Sequence, residues 1–426
     1  MNNDTVSQTQ QPEQIEQAQQ AEQTTCCIVG GGPAGAILAL LLARQGIPVM
    51  LLEEHLDFDR DFRGDTLHPS TMQIIDQLGL ADRLLEIPHS EAHTLAFESA
   101  NGPQVLADFR RLKTRFPYIA MLPQSQFLDF ITAEAKRYPS FQLVMGARVE
   151  KLIEEDGYVH GVHYRGRDGW HEVRATLTVA ADGRFSRVRK LAGFEPIKTA
   201  PPMDVLWFRL PLEEDDREES GGLIKGGHFL IFLRRADGWQ IGYVIPKGGY
   251  QKIHAAGMDA FRQETAAVLP AFLAKRAATL HEWKQISVLA VESSRIPRWY
   301  RPGLLLIGDA AHVMSPVGGV GINYAVQDAV VTANVLTVPL KKGQIRLSDL
   351  AEVQRQRERP TKIIQGFQNF LQRRVISNVF KSDESLTLPL LIRILLKVPF
   401  VRDFPARLVA FGPKQVHLQK YPGDKP

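Results

Sequence analysis

Apolar runs and helix-forming segments alternate from residue 26 onward. Cys26 to Val29 is a short apolar run, and a glycine cluster follows it. The segment from Ala34 to Gln45 consists of apolar residues and good helix formers, and Gly46 stands where a helix commonly ends. A second apolar run covers residues 47–52. Because buried parallel strands are nearly continuous apolar runs, this pattern predicts a β–α–β unit.

The remaining chain contains helical and strand-like patterns in separate stretches. Helical spacing covers residues 68–86, 123–137, 258–277 and 321–336. Residues 141–179 and 206–245 alternate apolar and polar positions between glycine-containing turns, which is typical of antiparallel sheets, and residues 304–307 form a buried strand. The fold class is therefore α/β, a Rossmann-type domain with an inserted β-sheet domain and a helical C-terminus.

Composition narrows the class of protein only slightly. The chain has 426 residues with 23% charged and a net charge of +4, which gives no basis for a nucleic-acid partner. Adjacent Cys26 and Cys27 form neither a disulfide framework nor a metal site, so we interpret them as buried apolar residues. Because neither a signal peptide nor an apolar run of roughly 18 residues is present, we expect a cytoplasmic protein.

Gly30, Gly32 and Gly35 form a GxGxxG motif directly after the first predicted strand. Gly30 permits the sharp turn, Gly32 lets the backbone approach a pyrophosphate, and Gly35 lets the helix pack on the sheet. The helix N-terminus then offers N–H groups to phosphates. Glu53 ends the second strand, where a carboxylate can accept hydrogen bonds from ribose hydroxyls. These residues predict a dinucleotide site without separating FAD from NAD.

Two further motifs follow in the chain. AADGRFSRVRK matches DGxxSxxR through Asp182-Gly183, Ser186 and Arg189, and RPGLLLIGDAAHVMSPVGGVGINYAVQDA contains Gly308-Asp309 and the run PVGGVG. With the first glycine motif in this order, residues 25–340 resemble the group A flavoprotein monooxygenases, of the p-hydroxybenzoate hydroxylase and ubiquinone-biosynthesis hydroxylase type.

The resemblance implies FAD, and because no histidine or cysteine offers an evident attachment signal, we expect the FAD to be non-covalent. Asp309 ends an apolar strand, where a carboxylate can hold a polyol, and the glycines after Pro316 let the backbone lie against a planar ring. N–H groups at the start of the next helix can stabilise an anionic reduced ring. No metal site and no catalytic residue is predicted, and His68 and His312 are interpreted as structural. The residues expected at the cofactor are Gly30, Gly32, Pro33, Ala34, Gly35, Glu53, Glu54, Arg63, Gln124, Val149, Asp182, Gly183, Gly308, Asp309, Pro316, Gly319, Gly321 and Ile322.

The resemblance also implies a reaction. NADH or NADPH would reduce the flavin during a transient encounter, O2 would add at C4a, and the C4a-hydroperoxyflavin would pass one oxygen atom to the substrate. The strand-rich stretch 206–245 supplies six aromatic residues, some of which must face the core and some a pocket. They are Trp207, Phe208, Phe229, Phe232, Trp239 and Tyr243. We therefore expect an apolar small molecule, with an aromatic or polycyclic one as an option.

Domain boundaries follow from these segments. Residues 1–24 are rich in Gln and contain almost nothing to bury, so we predict a disordered tail. Residues 25–195 and 291–345 are expected to form a discontinuous FAD-binding domain, and residues 196–290 a substrate domain that is mainly antiparallel sheet. Residues 346–426 are expected to form a helical C-terminal segment.

Residues 386–412 combine apolar clusters with Arg393, Lys397, Arg402 and Arg407. A basic amphipathic segment can lie in a membrane interface, which would make the protein a peripheral membrane protein. The alternative is a helix that packs on the FAD-binding domain or caps the active site.

Three other functions share the FAD motifs. The first is an FAD-dependent reductase of prenyl or polyene chains, like the geranylgeranyl reductases. The second is a flavin-dependent halogenase. The segment GWQIGYVIP of this chain resembles the tryptophan motif of the halogenases only in part. The third is a non-catalytic binding protein on the same fold, like the Rab escort and dissociation-inhibitor proteins. The intact glycine run of this chain argues against this third function.

Overall fold

The computed structural model describes residues 21–59, 64–99, 102–216, 220–376, 379–380 and 403–420. Four sheets contain the strands of these residues. The strands are β1 (Glu22–Val29), β2 (Val49–Glu53), β3 (Thr66–Leu67), β4 (Ser90–Ala92), β5 (Thr94–Ser99), β6 (Gly102–Asp108), β7 (Ile119–Met121), β8 (Phe141–Met145), β9 (Arg148–Glu155), β10 (Tyr158–Arg165), β11 (Trp170–Ala180), β12 (Ile197–Thr199), β13 (Met203–Leu210), β14 (Gly221–Lys225), β15 (His228–Arg235), β16 (Gly238–Pro246), β17 (Ser287–Leu289), β18 (Ser293–Arg295), β19 (Tyr300–Arg301), β20 (Leu304–Leu306) and β21 (His312–Val313).

The α-helices lie between and after these strands, and the two longest of them lie after the last strand. They are α1 (Pro33–Arg44), α2 (Pro69–Gln77), α3 (Ala81–Leu85), α4 (Gln124–Ala135), α5 (Arg187–Leu191), α6 (Tyr250–Ala256), α7 (Met258–Val268), α8 (Ala271–Ala274), α9 (Gly321–Lys341), α10 (Leu347–Leu371) and α11 (Phe404–Phe411).

The largest sheet confirms the predicted β–α–β unit. Its order is β19-β20-β11-β1-β2-β8, with β10 and β9 attached through β11. β1 pairs in parallel with both β2 and β11, and the side chains of α1 from Ala34 to Ala43 are buried. Two sheet neighbours and a covering helix explain why both strands are apolar on both faces.

The first strand begins earlier than predicted. Residues 22–24 belong to β1 and pair with Val173, Arg174 and Ala175 of β11. They are polar, so their place in the sheet depends on backbone pairing at an exposed end rather than on apolar burial. The predicted tail otherwise falls on residues 1–20, which lie outside the described residues.

Two predicted helices are interrupted. The segment 68–86 divides into α2 and α3 at Gly79, whose φ of +72° is incompatible with a continuous helix. The segment 258–277 changes direction at Pro270, because proline cannot continue a helix. The predicted sheet over 141–179 is antiparallel only in β9, β10 and β11, while β8 pairs in parallel with β2.

The second large sheet has seven strands in the order β17-β13-β16-β15-β14-β5-β6. Five of them come from the predicted substrate domain or its edge. β5 and β6 come from residues 94–108 and join through the parallel pair Gly222 and Phe97, so this sheet also includes strands from outside the predicted range 196–290. Backbone pairing with a distant edge strand leaves no periodic signal in the sequence.

Alternation along this sheet separates its aromatic side chains as expected. Phe208, Phe232, Trp239 and Tyr243 lie in a core between one face and the helices α6 to α8. Trp207 and Phe229 lie on the opposite face. The opposite face is therefore available to build a binding site.

The described C-terminal residues pack on the FAD-binding region. In α11, Ala406, Leu408 and Ala410 are buried, and the Nδ1 of His68 donates to Val409 O over 2.9 Å. This agrees with the packing alternative for residues 403–412, while residues 386–402 lie outside the described residues. Within the described residues, no helix combines the length and apolarity that crossing a membrane requires.

Buried His68 should make folding sensitive to acid. Burial lowers its pKa to about 4, whereas an unfolded histidine titrates near 6.5. Between those values the unfolded chain binds a proton that the folded chain excludes, so stability is complete above pH 6.5 and falls as the pH drops towards 4. Between pH 7 and 4 we expect the wild type to lose roughly 3 kcal/mol more unfolding free energy than His68→Gln. Urea unfolding at both pH values measures this, and equal losses would contradict it.

Candidate functional site

The first glycine motif forms the turn between β1 and α1. Gly30 has φ +102°, and a Cβ there would lie 2.5 Å from Ala181 O on the neighbouring strand. A Cβ at Gly35 would lie 2.0 Å from Gly30 O. In contrast, a Cβ at Gly32 would meet no atom within 4 Å, and no side chain caps the N-terminus of α1. Packing therefore requires glycine at positions 30 and 35. Gly32 leaves open space beside the backbone N–H groups at the N-terminus of α1, which have no partner within the helix.

Glu53 is buried at the end of β2 and faces the same turn. Its Oε2 accepts from Gly31 N over 2.8 Å, and its Oε1 accepts from His55 N over 3.0 Å. The neighbouring Glu54 is exposed and forms an ion pair with Arg148 at 3.2 Å. The carboxylate of Glu53 thus fixes the glycine turn and still lines the cavity described below.

The motif that begins at Asp182 forms a turn after β11, and this turn is held by hydrogen bonds between its own residues. Asp182 accepts from Ser186 Oγ and from Val188 N over 3.0 Å. Its pKa is raised because burial outweighs these hydrogen bonds. Arg189 donates to Arg184 O over 2.8 Å and to Ala310 O over 3.2 Å. Arg189 belongs to the second motif and Ala310 to the third, so the two motifs are joined by a direct hydrogen bond.

The third motif depends on a buried carboxylate in α9. Asp328 accepts from Gly308 N over 2.9 Å, from His312 Nε2 over 2.6 Å and from Arg357 Nε over 2.7 Å. Burial would raise its pKa, but His312 and Arg357 outweigh burial and lower it to about 2. This interaction fixes Gly308 and leaves the next residue, Asp309, on the cavity wall. His312 is structural here, as the sequence indicated.

The run Pro316–Gly321 wraps into the start of α9. Gly318 and Gly319 have φ of +80° and +63°, and a Cβ at Gly319 would lie 2.8 Å from Thr66 Oγ1. Thr66 Oγ1 donates to Gly319 O over 2.8 Å. No side chain caps the N-terminus of α9, and a Cβ at Gly321 would meet no atom within 4 Å. Like the N-terminus of α1, the N-terminus of α9 is therefore uncapped and has open space beside a glycine.

Glutamines of α10 hold this loop from behind. Gln368 Nε2 donates to Ser315 O over 2.9 Å and to Val317 O over 2.8 Å. One turn earlier, Gln365 Nε2 donates to Ser294 O and Val313 O. Gln372 donates to Ser315 Oγ. The sequence interpretation missed these residues, because glutamines on a helix usually face water.

Another missed interaction joins the loop region to the second sheet. Asp65 forms a buried ion pair with Arg235 of β15 and accepts from Gln124 N over 3.0 Å. The preceding Gly64 packs against Ile322, with 3.4 Å between a Cβ position and the side chain. The start of α4, the start of α9 and the second sheet therefore meet at Asp65.

One cavity of about 1950 Å³ connects these elements. Most of the predicted cofactor residues line it, while Gly35 and Gly308 support the turns behind it, and Arg63 lies outside the described residues. Those that line it are Gly30, Gly32, Pro33, Ala34, Glu53, Glu54, Gln124, Val149, Asp182, Gly183, Asp309, Pro316, Gly319, Gly321 and Ile322. The cavity continues between the second sheet and the end of α10, where Trp207, Phe229 and Phe367 line it.

This donor set fits a dinucleotide with a planar ring. The open space at Gly32 beside an uncapped helix start suits a pyrophosphate. Buried Glu53 and cavity-facing Asp309 can each accept hydrogen bonds from the hydroxyl groups of a polyol. The glycine loop before α9 and the uncapped helix start after it suit a ring whose reduced form is an anion. Among the described residues no cluster could hold a metal ion.

Comparisons with known proteins agree with this geometry. The family model for the FAD binding domain matches residues 23–365. The chain is 35% identical over 348 residues, 80% of this chain and 82% of the relative, to 6-methylpretetramide 4-monooxygenase of Streptomyces rimosus. It is 27% identical to pentachlorophenol 4-monooxygenase of Sphingobium chlorophenolicum, over 71% of this chain and 56% of that protein.

A solved structure shows the same fold. OxyS anhydrotetracycline hydroxylase from Streptomyces rimosus superimposes with a TM-score of 0.72 at 23% identity, covering 91% of this chain and 76% of that chain. The family match covers residues 23–365, which include all three motifs, and the relative from Streptomyces rimosus aligns with 80% of the chain. The chain therefore belongs to the FAD-binding-domain family of flavin-dependent monooxygenases, with FAD as its cofactor.

Proposed function

We propose that this FAD-dependent monooxygenase hydroxylates a planar aromatic small molecule, with NADH or NADPH as the reductant. The observation that carries the proposal is the single cavity, which runs from the phosphate-type turn at Gly32 to the aromatic wall at Trp207. Its volume of about 1950 Å³ is well above the roughly 300–1000 Å³ typical of small-molecule sites. There is space for a dinucleotide and a second molecule side by side.

The chain offers a place for each part of FAD. The α1 N-terminus beside Gly32 would hold the pyrophosphate, and Glu53 the adenosine ribose. Asp309 would hold the ribityl chain, and the start of α9 at Gly321 and Ile322 the pyrimidine edge of the ring. When bound, FAD supplies electron transfer and oxygen activation, while the chain orients the substrate and excludes water.

The second part of the cavity supports an aromatic substrate. The Trp207 indole lies across Gly242, where a Cβ would be only 2.8 Å from its ring carbons. Phe229 of β15 and Phe97 of β5 lie on either side of β14 on the same wall. Flat aromatic surfaces favour planar ring systems through stacking. Pentachlorophenol in the name of one relative points to the same class.

Membrane contact through residues 386–412 remains a prediction. The basic residues that motivated it include Arg393, Lys397 and Arg402. In the described portion, α11, four apolar side chains are buried in the protein, while Phe404 at its start is exposed.

The function is tested by isotope transfer. The FAD-loaded protein is supplied with NADH or NADPH, 18O2 and a panel of phenols and polycyclic aromatic compounds. We expect substrate-stimulated oxidation of the reductant and a product that carries one 18O atom, detected by mass spectrometry. Reduction of a prenyl or polyene substrate without incorporation of 18O would instead favour the reductase alternative.

Gly32 and Gly35 form a matched pair for testing the FAD site. Gly32→Ala adds a methyl group only to the cavity, at an ordinary φ of −67°. We expect unchanged stability of the apoprotein and at least a tenfold loss of FAD affinity, about 1.4 kcal/mol. Gly35→Ala forces a methyl group against Gly30 O, so we expect the apoprotein itself to lose about 1–3 kcal/mol. Thermal unfolding and FAD titration separate the two effects.

Gln368 should influence the bound flavin through the loop. The C=O of Val317 and the N–H of Gly318 belong to one trans peptide, in which these groups point in opposite directions. Because Val317 O accepts a hydrogen bond from Gln368 of α10, the Gly318 N–H points away from α10. Gln368→Met removes that constraint. We expect the flavin midpoint potential to fall by roughly 30 mV, about 1.4 kcal/mol for two electrons.

Gln354 provides the control for this variant. It lies on the same helix, donates to Pro297 O over 2.8 Å and accepts from Trp299 N over 2.9 Å, without touching the loop. Gln354→Met should lower thermal stability to a similar extent and leave the potential unchanged. Equal potentials for both variants would show that Gln368 only stabilises the fold.

A further inference from the structure

Three adjacent strands of the second sheet carry one polar side chain among those that line the cavity. Along β13, β15 and β16, the side chains that line the cavity are apolar or aromatic except for Gln240. Gln240 is opposite Leu233 in the register of β15 and β16 and is 4% exposed. A buried polar group on an apolar wall costs free energy unless it is hydrogen-bonded, so its partners are informative.

One end of the Gln240 amide is already fixed. Arg235 NH1 donates to Gln240 Oε1 over 2.7 Å. Arginine has only donors, so the oxygen and not the nitrogen of this amide must face it. Arg235 is itself held by the buried ion pair with Asp65, which also accepts from Gln124 N. The orientation of the amide is therefore set by a rigid chain of contacts that begins beside the cofactor region.

The other end of the amide faces the cavity. Among the described residues, Gln240 Nε2 donates to no group, yet it is absent from the buried polar atoms that lack a partner. The group thus keeps accessible surface, and the side chain lines the cavity. Two N–H donors of fixed direction therefore remain for a bound molecule.

We propose that Gln240 contacts the substrate and selects aromatic compounds that carry an oxygen acceptor, a ring carbonyl or a hydroxyl group, on the edge facing β16. This inference rests on the proposed function. In an otherwise apolar wall, a fixed donor discriminates because a ring without the oxygen leaves the amide unpaired. Arg235 and Asp65 are positioning residues for this amide.

The proposal is tested by binding two related probes, 2-naphthol and naphthalene, to the oxidised FAD-loaded enzyme. Dissociation constants are measured from the perturbation of the flavin absorbance and by calorimetry. We expect the wild type to bind 2-naphthol about tenfold more tightly than naphthalene, as one buried hydrogen bond allows. Gln240→Leu should bind both with similar affinity, mainly through weaker binding of 2-naphthol.

A control variant separates this effect from changes in the sheet. Gln104 lies on β6 of the same sheet but outside the cavity lining, so Gln104→Leu should keep the tenfold preference. FAD affinity and the oxidised flavin spectrum should be the same in all three proteins. A changed FAD affinity in Gln240→Leu would show that the amide serves the cofactor and would overturn the proposal.

The outcomes distinguish this inference from the proposed function. If the wild type oxygenates aromatic compounds but shows no preference for 2-naphthol, or if Gln240→Leu retains the preference, the role of Gln240 is overturned alone. If the wild type binds neither probe and oxygenates no aromatic compound of the panel, the proposed function fails, and the role of Gln240 fails with it.

Discussion

The buried carboxylate of Asp328 connects most of the elements that form the site. Its three donors come from the glycine after β20, from β21 and from α10, so one side chain fixes three segments against α9. Removing one partner of a buried ion pair is costly, because the remaining charge stays desolvated. The positions of Asp309, the glycine loop and the C-terminal helices are therefore interdependent, and the motif GDAAH cannot be understood without the distant Arg357.

A second contact unites the two halves of the cavity. The ion pair of Asp65 with Arg235 links a segment beside the α9 start to the centre of the second sheet. Asp65 also accepts a hydrogen bond from Gln124 N of α4, and Arg235 also donates one to Gln240, so the contact extends on both sides. The two ends of the cavity thus share a fixed geometry. This arrangement suits a reaction in which a flavin ring and a substrate ring must lie at a defined distance.

The motifs of the site were readable because each depends on local physics. Gly30 requires a positive φ, Gly35 requires a close approach, and Glu53 ends an apolar strand, all within one β–α–β unit. The alternation of β15 and β16 likewise divided the aromatic residues between the core and the cavity. In contrast, Arg189 and His312 form hydrogen bonds with Ala310 and Asp328, which belong to other elements, and their neighbours in sequence do not reveal these contacts.

The sequence by itself determined the Rossmann-type unit, the FAD motifs and the family, because glycine turns, apolar strands and helix starts are encoded by neighbouring residues. Only the tertiary structure decided that β5 and β6 join the second large sheet, that Gln368 of α10 holds the glycine loop before α9, and that Gln240 faces the cavity. These features join residues that lie far apart in the chain. A polar side chain reads as solvent-exposed in sequence until the packing around it shows which backbone group, or which cavity, it faces.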